Sequence, residues 1–170
     1  MVDVEVGSLD LGKSVDEIEA PVLLPEEWYL VEVGVKPEVK KNAAMERDAN
    51  DPKAGYNWVM NLVTISEDED YHGRWLTCWL GIPKEDDEKV RDRRGQKVFD
   101  AKMQRIVDFV TAFGGTIDGG NASLQKGATG MVYVLQRLNS ETGELENSVN
   151  IFGRGGESPF KPNPEREVPS

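Results

Sequence analysis

The chain has 170 residues, of which 38% are hydrophobic and 30% are charged, a composition typical of a single soluble globular domain. It has no apolar run of membrane-spanning length, and its single cysteine, Cys78, excludes an intramolecular disulfide. The net charge of −11 argues against a polyanionic partner, unless the basic residues are concentrated locally.

The charge is unevenly distributed along the chain. Residues 1–27 contain eight acids and one base, a net charge of −7, and Pro21 and Pro25 interrupt any hydrophobic period. Residues 89–105 contain seven bases and two acids, a net charge of +5. We therefore expect a flexible acidic arm over residues 1–27 and a locally basic body. Since residues 1–5 lack the basic and apolar regions of a signal peptide, we expect a cytoplasmic location.

The first strand is predicted after the arm. Between Trp28 and Val39, the residues Tyr29, Val31, Val33 and Val35 alternate with polar neighbours, the period of a half-buried strand. Residues 40–55 have no hydrophobic period and contain the turn sequence Asn50-Asp51-Pro52, so we predict a long loop there. Loops of this length in compact domains are often functional.

Residues 56–82 predict a long antiparallel hairpin, with an acidic turn over residues 66–73. Three of the four tryptophans lie on it. In its second strand we assign Leu76, Cys78 and Leu80 to the core, so that Trp75, Thr77 and Trp79 point outward. In its first strand two faces compete, and we favour burial of Trp58, Met60 and Leu62 over burial of Val59, Val63 and Ile65.

A charged connector, residues 83–96, leads to the predicted helix. From Lys97 onward, apolar residues recur at spacings of three and four and Gly114-Gly115 ends the pattern; the stripe comprises Phe99, Met103, Ile106, Val110 and Phe113. Residues 116–128 are rich in Gly and Asn and are predicted to form turns. Two more strands are predicted after them, Gly130–Leu138 and Glu144–Phe152. Residues 153–170 are rich in Gly, Pro and charge, which predicts a disordered tail.

The order of three strands, one helix and two strands predicts a mainly β fold with one α-helix. It is the order of the five-stranded OB-fold barrel, in which the helix lies between the third and fourth strands. Other five-stranded barrels and α+β folds have a similar count of elements. We expect this barrel to span residues 28–152, between the acidic arm and the tail.

The sequence also resembles the OB-fold single-stranded DNA-binding proteins of bacteriophages. The resemblance is carried by the opening strand from Trp28, by Gly55-Tyr56-Asn57-Trp58, by Tyr71-His72-Gly73-Arg74, by Phe113-Gly114-Gly115 and by Glu146-Asn147-Ser148-Val149. It implies binding of single-stranded DNA in phage DNA replication or recombination, inside a bacterial host. Self-association and contacts with other replication or recombination proteins are compatible with that role. The tail departs from the acidic tail of many such proteins, since residues 153–170 have three bases and three acids.

Single-strand binding requires aromatic rings on which bases stack and a groove of positive potential that follows the phosphates. The candidate stacking residues are Trp75, Trp79, Tyr56 and Trp58. The candidate phosphate contacts are Arg74, Lys40, Lys41, Arg47 and Lys53. The alternative is that the tryptophan rings are core and the bases are ordinary solvated surface.

Nothing in the sequence indicates an enzyme. His72 is the only histidine and no Gly-rich phosphate loop with lysine occurs, so we predict no catalytic residues, no metal and no cofactor. A second hypothesis is a protein-interaction or virion structural module that uses the same face of the barrel. The acidity of the chain motivates this second hypothesis.

Overall fold

The computed structural model describes residues 7–19, 22–153 and 156–165. These residues form a mainly β structure with one long helix, which confirms the predicted class. In chain order the elements are β1 (Glu27–Val33), β2 (Glu38–Lys41), α1 (Ala43–Arg47), β3 (Tyr56–Ile65), β4 (Trp75–Gly81), α2 (Val98–Ala112), β5 (Thr116–Asp118), β6 (Asn121–Ser123), β7 (Thr129–Leu138), β8 (Leu145–Val149) and β9 (Phe160–Pro162).

Seven of these strands form one antiparallel sheet. Along the main path β1 lies between β3 and β7, and β8 follows β7. The long strand β3 pairs with β4 along one edge, while its other edge pairs with β2 at its start and with β1 at its end. Strands β5 and β6 form a separate small hairpin. The sheet therefore has β4 and β8 at opposite ends of its strand order.

The described residues do not form the predicted closed five-stranded barrel, because no backbone hydrogen bonds pair β4 with β8. A cleft of about 990 Å³ lined by both strands lies between them. Leu24 lies at this edge, where its N–H donates to Asn147 Oδ1 at 2.9 Å and its carbonyl accepts from Asn147 Nδ2 at 2.9 Å. The β8 side of the gap therefore bonds to the end of the arm instead of to β4.

The segment predicted as a long loop is partly regular structure. Strand β2 pairs with the start of β3, and α1 follows it. The side chain of Asn42 caps α1, since its Oδ1 accepts the N–H of Met45 at 2.8 Å. All four residues of β2 are exposed, so backbone pairing holds this strand without any buried face. An element of this kind leaves no hydrophobic period in the sequence.

The prediction of a disordered tail from Gly153 onward is wrong for residues Phe160–Pro162. These residues form β9, which pairs with β7. Phe160 is only 3% exposed, and its ring centroid lies 4.9 Å from that of Phe109 in an edge-to-face arrangement. The buried ring of Phe160 anchors this strand to the core, although the surrounding segment is rich in Gly, Pro and charged residues. The folded unit thus extends past residue 152. Residues 154–155 and 166–170 of the predicted tail lie outside the described residues.

Helix α2 contributes buried side chains to the same core as the sheet. Phe109 and Phe113 stack with ring centroids 4.1 Å apart, and Gly130 leaves room for the ring of Phe113 because a Cβ there would lie 2.7 Å from it. Gly114 ends the helix with φ of 71°. Phe99 and Met103 lie outside this core, so the predicted stripe is correct only in part, and it omitted Phe109.

The acidic arm is exposed over its described residues 7–19 and contains one 3₁₀ turn, Val15–Glu17. Further along, Leu24 is buried in the core beneath the sheet. Among the residues described, no helix has the length and apolar character needed to cross a membrane.

If β9 belongs to the folded core, Phe160→Ala should lower the free energy of unfolding by about 3–5 kcal/mol, because it removes a fully buried ring. Chemical denaturation measures this loss. Phe152→Ala removes the same side chain from a position that is 53% exposed, and should cost much less. Equal denaturation midpoints for Phe160→Ala and the parent protein would show that the tail is not part of the core.

Asp87 joins a 3₁₀ helix, Glu85–Lys89, to α2. Its Oδ2 accepts the N–H of Lys84 at 3.0 Å and the Nζ of Lys102 at 2.9 Å. Burial raises the pKa of this carboxyl, but these two bonds outweigh burial and lower the pKa below its ordinary value of 3.8. The ionised carboxylate therefore contributes stability above pH 3.8, and this contribution is lost as the pH falls through the lowered pKa.

Asp87→Asn should accordingly lower the free energy of unfolding at pH 7 by roughly 1–3 kcal/mol. The difference from the parent protein should shrink as the pH falls below about 3.8. Denaturant unfolding at a series of pH values measures both effects. Asp86→Asn, at an exposed neighbouring position, is the matched control. A difference that stays constant down to pH 2 would contradict the role assigned to this carboxylate.

Candidate nucleic-acid interface

The two tryptophans of β4 lie on the outer face of the sheet. Trp75 is 61% exposed and Trp79 is 51% exposed, whereas Leu76, Cys78 and Leu80 are buried. This confirms the assignment of faces made from the alternation of β4. Burial also raises the pKa of the Cys78 thiol to about 12, so this group is inert as a nucleophile.

The register between β3 and β4 defines what surrounds the two rings. Trp79 lies opposite Val59, Thr77 opposite Asn61, and Trp75 opposite Val63. The Thr77 hydroxyl donates to Asn61 Oδ1 at 3.3 Å, so a polar pair separates the two aromatic positions. The outer face of β3 is the one that the sequence favoured as exposed, although Val59 itself is buried beneath its neighbours.

Trp75 lies against the backbone of Gly34, at the end of β1. A Cβ at Gly34 would lie 2.6 Å from the Trp75 ring and 2.8 Å from Val63, distances that no side chain tolerates. The N–H of Gly34 donates to the carbonyl of Asn61 at 2.8 Å, which holds this backbone next to β3. The absence of a side chain at Gly34 therefore leaves room for the Trp75 ring beside this backbone and Val63. The glycine within a strand pattern is the sequence signal of this contact.

Basic residues accompany Trp79. A small cleft of about 400 Å³ is lined by Trp79, Asn57, Lys40 and Lys41, with Ala43 and Glu46 from α1. Lys40 also forms an exposed ion pair with Glu38 at 3.5 Å. Exposed pairs of this kind contribute little stability and exchange readily for another anion.

Trp75 and Trp79 also line the larger cleft between β4 and β8. Its charged lining residues are two arginines and two glutamates, Arg74, Arg137, Glu144 and Glu146. Arg74 is tethered by a hydrogen bond of 3.3 Å from Nη1 to the carbonyl of Asp70. The cleft is therefore close to neutral, and the positive charge of this face lies toward β2. Arg137 was absent from the residues proposed on sequence.

The remaining sequence candidates do not join this surface. Trp58 belongs to the inner face of β3 and packs partly against the core, beside an apolar cleft that Met103 of α2 also lines. Tyr56, 44% exposed, lies in a different pocket near Pro83. Arg47 and Lys53 are exposed but line neither tryptophan cleft. The structure thus brings together Trp75, Trp79, Arg74, Lys40 and Lys41, and separates the other four.

A second aromatic group lies on β1 and β7. Trp28 and Tyr133 lie directly opposite each other, with ring centroids 5.6 Å apart in an edge-to-face arrangement. The Nζ of Lys161 lies 4.3 Å from the centroid of the Trp28 ring. The Trp28 ring thus has two partners within the chain, Tyr133 and Lys161. It is therefore less available to a ligand than Trp75 and Trp79.

No protein-family model matches the chain, and a search of curated proteins finds no similar sequence. Among the described residues, no group of three or more His, Cys, Asp or Glu side chains is placed to hold a metal ion. The case for a function therefore depends on the geometry of the outer face.

Gly34→Ala should displace the Trp75 ring, because the new methyl group occupies the position of the ring. We expect a shift of tryptophan emission to longer wavelength and a loss of roughly 1–3 kcal/mol of stability. Gly120→Ala is the matched control, since a Cβ there meets nothing within 4 Å. The emission shift should vanish in a Trp75→Phe background. An unchanged shift in that background would mean that a different tryptophan reports the substitution.

Proposed function

We propose that this chain binds single-stranded DNA with little sequence preference, as part of phage DNA replication or recombination. The observation that carries the proposal is the pair of exposed, outward-facing tryptophans on one strand, of which Trp75 lies against Gly34 and Trp79 adjoins Lys40 and Lys41. Aromatic rings next to positive charge suit a single strand, because every base has a π-face and every nucleotide has a phosphate.

The spacing of the rings supports stacking of separate bases. Four residues of β4 at about 3.3 Å each place Trp75 and Trp79 roughly 13 Å apart. A stacked strand advances only about 3.4 Å per nucleotide, so the rings serve bases that are not neighbours. The polar pair Asn61 and Thr77 lies between them and faces the intervening nucleotides.

The strand connectivity supports the OB-fold as the finer description of the sheet. Strand β1 pairs with β3 and β7, β3 pairs with β4, and β7 pairs with β8, while α2 lies between β4 and β7 in the chain. An OB-fold is a partly open Greek-key barrel that binds oligonucleotides across its second and third strands. In this assignment those two strands are β3 and β4. The resemblance to phage single-stranded DNA-binding proteins leads to the same function.

The charge of the face sets the expected salt dependence. For single strands the slope of log K against log salt is about −0.7 per neutralised phosphate, so contacts from Lys40, Lys41 and Arg74 give a slope of about −2. This is a shallow dependence. The net charge of −11 opposes binding over long range, so stacking carries most of the affinity.

The test is a titration of tryptophan fluorescence with oligo-dT across a salt series. We expect quenching, and a loss of about 1–3 kcal/mol, roughly 5- to 150-fold in Kd, for Trp75→Ala and for Trp79→Ala. Trp58→Phe, on the inner face, should retain the parent affinity. Lys40→Gln and Lys41→Gln should each make the salt slope shallower by about 0.7.

The proposal fails if no oligo-dT binds at low salt, or if both alanine variants bind as the parent protein does. A protein-interaction or virion module is the second candidate function, and the near-neutral cleft with Glu144 and Glu146 favours it. Capture of a protein from nuclease-treated infected lysate, lost in Trp75→Ala but kept in Trp58→Phe, would support this second candidate.

A further inference from the structure

Another cleft, apart from the tryptophan face, lies between α2, residues 92–96, and residues 151–153 and 156–159. It has a volume of about 670 Å³ and shares no residue with the two clefts that Trp75 and Trp79 line. Its lining combines three guanidinium groups (Arg93, Arg94 and Arg105) with three carboxylates (Asp92, Asp108 and Glu157), and Gln104 and Phe152 are the other lining residues used below. We call it the Arg105 cleft.

Arg105 is a half-buried cation without a matching anion. Its guanidinium carbon lies 4.7 Å from the centroid of the Phe152 ring. Among the described residues it forms no ion pair and no hydrogen bond through its side chain. Burial lowers its pKa, the charge of Asp92 opposes this, and the charge of Arg94 adds to it. A partly desolvated guanidinium is costly unless an anion accompanies it.

The carboxylates that line the cleft do not neutralise this cation by direct contact. Asp92 Oδ1 accepts the backbone N–H groups of Arg94 at 2.9 Å and of Gln96 at 3.1 Å. Asp108 Oδ1 accepts from Gln104 Nε2 at 2.8 Å. Glu157 is exposed at the rim. Two of the three carboxylates therefore accept hydrogen bonds from donors other than Arg105. The N–H groups of the Arg105 guanidinium are left for a ligand.

We propose that the Arg105 cleft binds a phosphate group. The planar guanidinium fork matches the oxygens of phosphate in a bidentate pair, and Arg93 and Arg94 supply further charge at the mouth. A phosphate brings more charge and more acceptor oxygens than a carboxylate, which suits three guanidinium groups. The outer face of Phe152, which is 53% exposed, adjoins the position of the phosphate and can contact a flat group attached to it.

The phosphate can come from free phosphate or from a nucleotide, and the two sources differ in what Phe152 contributes. A nucleotide places its base near the ring, so Phe152→Ala weakens its binding. Inorganic phosphate has no base, so Phe152→Ala leaves its binding unchanged. Both ligands require Arg105.

The experiment follows the Nε–H signals of the arginines by NMR on the full chain during titration with inorganic phosphate, dTMP and sodium chloride at matched ionic strength. We expect a saturable shift of the Arg105 signal with phosphate and with dTMP, but not with chloride. Arg105→Gln should weaken phosphate binding roughly tenfold or more, followed through the Arg94 signal. Arg105→Lys keeps the charge without the fork and should recover only part of the affinity. Lys126→Gln removes the same charge elsewhere and should change nothing.

The proposal is overturned if chloride gives the same shift, or if Arg105→Gln and Lys126→Gln bind phosphate equally. It is also overturned if the double variant Asp16→Asn/Glu17→Gln shifts the Arg105 Nε–H signal without added phosphate. The acidic arm would then be the occupant of the Arg105 cleft. Binding of phosphate is measured without DNA and without tryptophan emission. A failure here is therefore distinct from a failure of single-stranded DNA binding.

Discussion

The pairing register of β4 on β3 is the constraint on which the rest of the structure depends. It directs Leu76, Cys78 and Leu80 into the core, and the two tryptophans of the strand outward. A shift of one residue would exchange these sets, burying two indole rings and exposing three apolar side chains. Core packing therefore fixes the outer face, and the stacking surface follows from the stability of the core.

Two elements distant in sequence from β4 complete that surface. The backbone of Gly34, at the end of β1, leaves room for the Trp75 ring beside β3. Strand β2 adds Lys40 and Lys41 next to Trp79, although no residue of β2 is buried. Because the Trp75 ring is already placed, little conformational entropy is lost there when a base stacks on it. The proposed binding of single strands would then depend on shape and stacking more than on charge.

The overall charge of the chain conceals two places where cations are grouped. One adjoins Trp79, and the other is the Arg105 cleft on the side of α2, where three arginines lie among three carboxylates. The excess of acid lies largely in residues 1–27, with a net charge of −7, and residues 7–19 of that arm are exposed. Since salt screens exposed charges beyond about 10 Å, each group acts on its own neighbourhood. Net charge is thus a poor guide to the ligands of this chain.

The sequence by itself determined the mainly β class, the alternation of β1 and β4, and the end of α2 at Gly114, because burial of one face leaves a period that can be read directly. The features that leave no such period in the sequence were decided only by the tertiary structure. Strand β2 is exposed on both faces, β9 depends on the single buried ring of Phe160, and the sheet stays open between β4 and β8. The same holds for the site. Alternation placed Trp75 and Trp79 outward, whereas the separation of Tyr56 and the contact with Gly34 depend on packing between distant segments, which local pattern does not record.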